Sequence, residues 1–363
     1  MNILMVSANF APFVGGIETH IYEVGMRMAA LGHRVAVLTT DRSGDLPAEE
    51  QMEGMLVKRV KAWPKRRDYH FAPRIYNEVL SHDCDVVHFQ GYATFVAPLG
   101  MTAAIKRGIP FVLTFHSGGH SSRLRNSVRG LQHALIAPLA ARASRLIGVS
   151  EFEADFFSRR MGVERPRFAV VPNGASLPPP SDPRPTPDPH LVLSVARLER
   201  YKGHHRVIQA FPELLRSVPD ARLCVVGSGP YEPELRSLVS ALHLCDVVDF
   251  VSIPSSERQR LTDLLCSAGL VVLLSDYEAH PVAVLEALSV QRPVLVSDTS
   301  GLRELAEKGW CRSISLEASS SMIATAIRTQ FESEYQPSRV SLPNWDDCAQ
   351  HLVDIYSEAA RIN

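Results

Sequence analysis

A chain of 363 residues exceeds what one ordinary core serves, so two domains are expected, each large enough to be stable without disulfides or structural metals. Its six cysteines (Cys84, Cys224, Cys245, Cys266, Cys311, Cys348) stand singly, with no C-x-x-C and no histidine at ligand spacing, which argues against a disulfide framework or zinc ribbon and fits a reducing cytoplasm. Net charge is −1, yet residues 1–175 hold 21 Lys+Arg against 15 Asp+Glu and the remainder holds 17 against 24, so the halves are expected to meet different partners.

The opening MNILMVSANF reads as a buried strand, with no basic leader or cleavable apolar segment of a secretory signal. In the following NFAPFVGGIETH, Gly15 and Gly16 either let the backbone approach a ligand or form a tight turn before the first helix. After the strand RVAVLTT come two basic stretches, KRVKAWPKRRDYHFAPR (58–74) and SSRLRNSVRGLQHALIAPLAARASR (121–145). Each reads as a solvated helix face or as a cationic surface for an anionic membrane or phosphorylated acceptor. Between them, Asp83-Cys84-Asp85 superficially matches a D-x-D metal motif, but it precedes the strand VVHF and reads as a solvated turn. The longest uncharged span, Val86 to Ile105, is broken by His88, Gln90, Gly91, Pro98 and Gly100 as strand, turn and helix start, not as a membrane span. The strand FVLTF delivers His116 at its end, with His120 a lesser candidate in the loop beyond; RLIGVS and FAVV complete the first set of strands.

LPPPSDPRPTPDPH, Leu177 to His190, has seven prolines in fourteen residues and is too poor in backbone donors for a sheet or helix; it is expected to join two domains. The chain beyond repeats the pattern of its start: the strand LVLSVARLE, a loop holding Gly203, a helical segment, then ARLCVVG. Arg197 and Lys202 stand in that loop ahead of a helix, an arrangement suited to a diphosphate. Another loop, VVGSGPYEPEL, holds Gly227 and Gly229 as G-x-G-P, without the third glycine of a dinucleotide fingerprint or the Lys-Ser/Thr of a P-loop. The strands VVDFV, LVVLL and RPVLVS follow. Short β-branched runs alternating with helical periods indicate parallel sheets covered on both faces, so the fold class is α/β, two doubly wound domains in tandem with the ligand cleft expected between them. NWDDCAQHLVDIYSEAARI closes the chain as an amphipathic helix.

SDYEAHPVAVLEALS, Ser275 to Ser289, carries the sharpest question, because Glu278 and Glu286 stand in an otherwise apolar run. Glu278 falls in the loop after LVVLL, and Pro281 is placed as the first residue of a helix in which Glu286 has no solvent face. An unpaired buried carboxylate costs several kcal/mol, so Glu286 is expected to meet donors: Arg303, a backbone turn, or a ligand rich in hydroxyls. Eight helical residues rise about 12 Å, against roughly 5–10 Å between the paired acids of a glycoside hydrolase, which points to two separate contacts along one extended ligand.

With these motifs assembled, the chain resembles the retaining glycosyltransferases of family 4, almost end to end: Gly15, Gly16 and His20 as GG-x-x-x-H, TFH ending at His116, PNG at 172–174, R-x4-K-G at 197–203, G-x-G-P at 227–230, E-x7-E at 278 and 286, and the Trp345 region before the last helix. The resemblance implies a GT-B fold, two Rossmann-like domains facing an interdomain cleft: an acceptor-binding domain over 1–176, the linker 177–190, a nucleotide-sugar domain over 191–344, and a terminal helix 345–363 crossing back onto the first. It implies a donor that is a nucleotide-diphosphate sugar, UDP- or GDP-linked, and no resident cofactor or metal. Arg197 and Lys202 would bind its diphosphate, Glu278 the transferred sugar and Glu286 the ribose; Gly16 would approach the phosphates, and His116 would bond the donor sugar and align the acceptor. Where the family commonly has E-G-F-G, this chain has Glu278, Ala279, His280 and Pro281; the proline removes a backbone donor and His280 becomes an alternative sugar contact. The acceptor is expected to be a sugar, a lipid-linked molecule or a small molecule, with no nucleic acid and with peripheral contact at the inner membrane face through the basic first domain. The readings set beside this one are a nucleotide-sugar 2-epimerase on a related scaffold and a non-catalytic sugar-nucleotide-binding protein.

Overall fold

The computed structural model describes residues 1–13, 15–64, 71–117, 123–333 and 341–361. His120 and part of each basic stretch lie outside them. The chain divides into two compact units, one built from Met1–Ser117, Leu124–Gly174 and Pro343–Asn363, the other from Ala175–Leu342.

The first unit holds strands β1 (Asn2–Ser7), β2 (Arg34–Asp41), β3 (Glu49–Met52), β4 (Met55–Lys61), β5 (Val86–Gln90), β6 (Phe111–Thr114), β7 (Arg145–Gly148) and β8 (Phe168–Val170). Its helices are α1 (Gly16–Ala30), α2 (Arg74–Ser81), α3 (Val96–Arg107), α4 (Arg123–Ala140) and α5 (Glu151–Met161). The sheet order is β3-β4-β2-β1-β5-β6-β7-β8, parallel except for the β3–β4 hairpin. Both faces of the inner strands are covered, which is why β1 and β5 are apolar almost throughout and do not alternate. Helix ends follow local chemistry. The Ser150 side chain caps α5, and left-handed Gly108 and Gly162 close α3 and α5.

The hairpin departs from the sequence reading, since Lys58, Arg59 and Lys61 lie on β4 and not on a helix face. Arg59 is buried, ion-paired to Glu50 at 2.5 Å and bonded to the Ala11 carbonyl at 2.7 Å. The first charges of the basic stretch are therefore partly internal. Asp85 of the D-x-D sequence accepts a hydrogen bond from the Asn2 N–H at 2.7 Å and so ties the loop before β5 to the start of β1.

The second unit has β9 (Leu191–Val195), β10 (Arg222–Val226), β11 (Val248–Val251), β12 (Leu270–Leu273), β13 (Val294–Ser297) and β14 (Arg312–Ile314). They form a six-stranded parallel sheet of order β11-β10-β9-β12-β13-β14. Its helices are α6 (His204–Ser217), α7 (Glu232–Ala241), α8 (Arg258–Ser267), α9 (Val282–Ser289), α10 (Ser300–Glu307) and α11 (Ser320–Glu332). One apolar cluster gathers under α6, α7 and α11, a second under α8, α9 and α10, so this sheet too is covered on both faces. The proline-rich segment packs on this unit: Ser181 donates to both carboxylate oxygens of Asp263, at 2.8 and 2.6 Å, and Arg184 to the Val290 carbonyl. The last helix, α12 (Trp345–Arg361), belongs to the first unit and packs on α1 with Trp345, Leu352 and Tyr356 buried. Among the described residues no helix is long and apolar enough to cross a membrane.

Candidate functional site

In each sheet the connections run outward in both directions from one strand pair, β1/β5 in the first unit and β9/β12 in the second. Open α/β sheets bind ligands beyond the carboxyl ends of strands at such switch points. The candidate residues fall at these two edges.

In the second unit, the loop after β9 carries Arg197 and Lys202, that after β10 carries Gly227 and Gly229, and that after β12 carries Glu278. They are locked together by the backbone: Leu198 N–H donates to the Ser228 carbonyl at 2.9 Å, and Tyr231 N–H to the Leu198 carbonyl at 2.9 Å. Gly203 has a left-handed φ of 77° at the start of α6, and a Cβ there would stand 1.9 Å from the Leu274 carbonyl oxygen, so this turn admits only glycine. That close approach sets Lys202 against the end of β12. Its Nζ lies 2.6 Å from Glu278 Oε1, with the two side chains only 15% and 10% exposed. Burial alone would lower the Lys202 pKa; the Glu278 charge and hydrogen bond, together with the neighbouring Tyr201, more than reverse this, and the net shift is upward. Ser275 Oγ also donates to Glu278 Oε1 at 2.8 Å, and the Glu278 N–H donates to Ser300 Oγ. Arg197 is exposed, with Nη2 3.2 Å from the Tyr201 hydroxyl.

Glu286 is held apart from this pair. It is buried on α9, and its cation is Arg258 of α8, Nη2 to Oε1 at 2.5 Å, an atom that also donates to the Ser176 carbonyl. The expected alternative partner, Arg303, pairs instead with Asp298 at 2.8 Å. Pro281 caps α9, which begins at Val282, one residue later than the sequence predicts, because its ψ of 116° is extended. Ala279 is buried with its carbonyl against Gly301, and buried His280 feels the charges of Glu304 and Lys308. Burial lowers the His280 pKa to about 4.

The first unit's edge is built mainly from imidazoles, an amide and a phenol, with one buried carboxylate, Glu153, beside them. His116 follows β6 with φ 46°, unusual for a residue other than glycine, and its Nε2 lies 2.6 Å from Gln90 Oε1 at the end of β5. Glu153 clamps the next residue, accepting from both the N–H and hydroxyl of Ser117 and from the Val149 N–H. His20 of α1 packs edge-on against His116, ring centroids 4.6 Å apart, and bonds Asn173 at 3.0 Å. His88 bonds Tyr356 at 2.5 Å and Thr114 at 2.7 Å. Burial, then the neighbouring imidazoles, hold His88 and His116 well below the usual imidazole range, and burial holds His20 at about 4. The PNG sequence thereby finds its reason: Asn173 orients His20, and Gly174 lies where a Cβ would be 2.3 Å from the Trp345 nitrogen. Gly15 caps α1 in extended conformation and Gly16 opens it. Outside its chain neighbours and its own helix backbone, no described atom lies within 4 Å of where a Gly16 Cβ would stand, so packing against the rest of the first unit does not demand glycine there.

Sequence reasoning singled out neither Gln90, Glu153, Arg258 nor the serines around Glu278. Only Glu153 carried a local signal, the S-x-x-E of a capping box with Ser150, and its carboxylate serves Ser117 and Val149 instead.

Two family descriptions match this chain in succession, Glycosyltransferase Family 4 over residues 14–177 and Glycosyl transferases group 1 over residues 181–342. It is 28% identical to a glycogen synthase of Mycobacterium tuberculosis strain H37Rv, across 85% of this chain and 81% of that protein. It is 26% identical to the GDP-mannose:cellobiosyl-diphosphopolyprenol alpha-mannosyltransferase of Xanthomonas oryzae pv. oryzae, across 100% and 98%. Among solved structures, HepE of Anabaena, in complex with UDP and glucose, matches with TM-score 0.73 at 20% identity, covering 100% of this chain and 98% of that one. Sucrose-phosphate synthase of Thermosynechococcus elongatus matches with TM-score 0.73 at 18% identity, covering both chains fully.

Proposed function

From the premise that this chain belongs to the family 4 glycosyltransferases and has their GT-B fold of two parallel-sheet α/β domains, we propose that it moves a sugar from a nucleotide-diphosphate sugar to an acceptor hydroxyl, with retention at the anomeric carbon and without a divalent metal. The observation that carries this reading is the convergence of Lys202, Glu278 and the G-x-G-P loop at the β9/β12 switch point. A diphosphate leaving group gains charge as the C1–O bond breaks, and fixed cations at that point are the largest electrostatic aid a protein offers. Lys202 supplies one, Arg197 another, and the start of α6 adds N–H donors.

Glu278 keeps Lys202 charged and faces the transferred sugar, whose hydroxyls it accepts from. Glu286, buried beside Arg258, takes the ribose hydroxyls, so the two acids grip opposite ends of the donor. His116 contacts the donor sugar and aligns the acceptor, and Gly16 admits the phosphates to the backbone. The acceptor oxygen attacks C1 on the face the leaving group vacates; a donor phosphate oxygen takes its proton, leaving a glycoside and a nucleoside diphosphate. HepE was solved with UDP-glucose and the Xanthomonas relative is named for GDP-mannose, so the family supports a nucleotide sugar while the base differs among relatives. For the acceptor we favour a lipid-linked or phosphorylated molecule at a membrane face. The first unit exposes Trp63, Phe71 and Phe95, with Phe71 backbone-paired to Trp63 and its ring 6.3 Å from Phe95, besides the exposed Leu131 and Leu135 on α4.

Thermal shift against UDP, GDP, ADP and their sugars tests the donor, because a ligand bound by the native state alone raises its apparent stability. The expected outcome is stabilisation by one nucleotide diphosphate, weakened in Lys202→Ala. No shift with any of them, or near-normal turnover in both Lys202→Ala and Glu278→Gln, defeats the reading.

A further inference from the structure

His116 is held at one ring nitrogen by a residue the sequence motifs pass over. Gln90 ends β5, flanked in parallel register by Ser7 of β1 and Thr114 of β6, and is 3% exposed. One end of its amide meets His116 Nε2 at 2.6 Å and the other meets His88 Nδ1 at 3.1 Å. A carboxamide oxygen only accepts and its NH2 only donates, so the amide's direction fixes where each imidazole carries its proton.

That direction is set from behind. The Tyr356 hydroxyl, on α12, stands 2.5 Å from the same His88 Nδ1. A phenol facing an imidazole nitrogen is the better donor, which makes Nδ1 the acceptor and puts the His88 proton on Nε2, where Thr114 Oγ1 receives it at 2.7 Å. With Nδ1 accepting, the Gln90 NH2 must face His88, and its oxygen must face His116. We propose that Gln90 is a positioning residue that holds neutral His116 with its proton on Nε2, leaving Nδ1 as the ring's lone pair. Glu153, by clamping Ser117, fixes the backbone that presents this ring. The low basicity imposed by burial keeps all three rings uncharged, which the arrangement requires. The consequence for chemistry rests on the sugar-facing role of His116 proposed above: Nδ1 accepts a hydrogen bond from a substrate hydroxyl and does not donate one.

Nitrogen-15 histidine labelling of the full chain, read by two-bond proton–nitrogen correlation at neutral pH without any nucleotide, tests this directly, with His116→Gln used to assign the signal. The expected wild-type spectrum shows protonated Nε2 and bare Nδ1 for His116, a mixture of tautomers in Gln90→Leu, and restoration of the single Nε2–H form in Gln90→Glu, whose carboxylate accepts as the amide oxygen does. A wild-type His116 protonated at Nδ1, or a folded Gln90→Leu with an unaltered tautomer, overturns the proposal. Should Gln90→Leu fail to fold, the wild-type spectrum decides alone. Turnover of Gln90→Leu should fall roughly tenfold, the lower end of the loss seen for hydrogen-bond partners that orient metal-bound histidines. Failure of the glycosyl-transfer reading shows itself elsewhere, as unimpaired turnover in His116→Gln, and leaves the tautomer measurement untouched.

Discussion

At the β1/β5 edge of the first unit, the polar side chains at the strand ends are uncharged imidazoles, an amide and a phenol, each bonded to the next. At the β9/β12 edge of the second they are ions, Lys202 with Glu278 and Arg258 with Glu286. Both edges bury groups that water would otherwise solvate, yet the first satisfies them by choosing tautomers and the second by matching opposite charges. A neutral network fixes direction and geometry; an ionic one stores a field. Under the proposed function, the ionic edge receives the charge of a departing diphosphate and the neutral network orients hydroxyls.

The largest effect should come from breaking the ionic side. Lys202→Ala strands a buried carboxylate and is expected to cost about 3 kcal/mol of stability in chemical denaturation, and to lower turnover about 10²- to 10³-fold. Glu278→Gln should cost similar turnover and a comparable amount of stability, since it strands the Lys202 ammonium as Lys202→Ala strands the carboxylate; unchanged stability in either variant would contradict the charge argument.

Acid tests the buried imidazoles of both units next. His20, His280 and His204, which is buried at the start of α6 with its Nδ1 2.8 Å from Ser194 Oγ, have pKa values lowered by burial to about 4, below the unfolded value. Their contribution to stability is complete above about pH 6.5 and is lost as the pH falls toward 4, because only the unfolded chain takes up protons there. Each adds a slope of at most about 1.4 kcal/mol per pH unit in that window. Denaturation midpoints should hold between pH 7.5 and about 6.5 and fall steadily from there to about pH 5, and a flat profile would show that the imidazoles are not held neutral. Arg258→Gln should cost about 2 kcal/mol, less than Lys202→Ala because the guanidinium is one-third exposed, but more than Tyr356→Phe because the Glu286 carboxylate that loses its cation is buried. Its clearer mark should be weaker nucleotide binding by calorimetry, through the unanchored Glu286. A smaller loss, about 1 kcal/mol, is expected for Tyr356→Phe, which takes one donor from His88 without opening a cavity.

The strands were legible where burial on both faces makes them continuous: LVVLL and VVHF became β12 and β5 almost residue for residue. The β3–β4 hairpin was not, because its strands carry charges on a half-exposed sheet edge and turn at Glu53-Gly54, a weaker cue than Asn-Gly. At the candidate site, the spacing of Glu278 and Glu286 announced two buried acids, but their partners came from elsewhere in the fold. Arg258 is 28 residues from Glu286, Gln90 is 26 from His116, and Tyr356 is 268 from His88. Those pairings are set by strand register and helix packing, which no local pattern encodes. β1 and β9 illustrate the point: both read as strands in the sequence, yet nothing in them announces that they define where the edges stand.

The placement of α12 also governs how the molecule is made. A ribosome finishes all of residues 175–342 before it releases Trp345 and Tyr356, which fill the first unit's interior. During synthesis, the amino-terminal unit must therefore wait, its α1 flank bare and His88 lacking its phenol, while the later unit already has every segment it needs. Nascent chains stalled near residue 342 should expose that flank to chaperones and proteases, and adding the missing helix as a separate peptide should protect it.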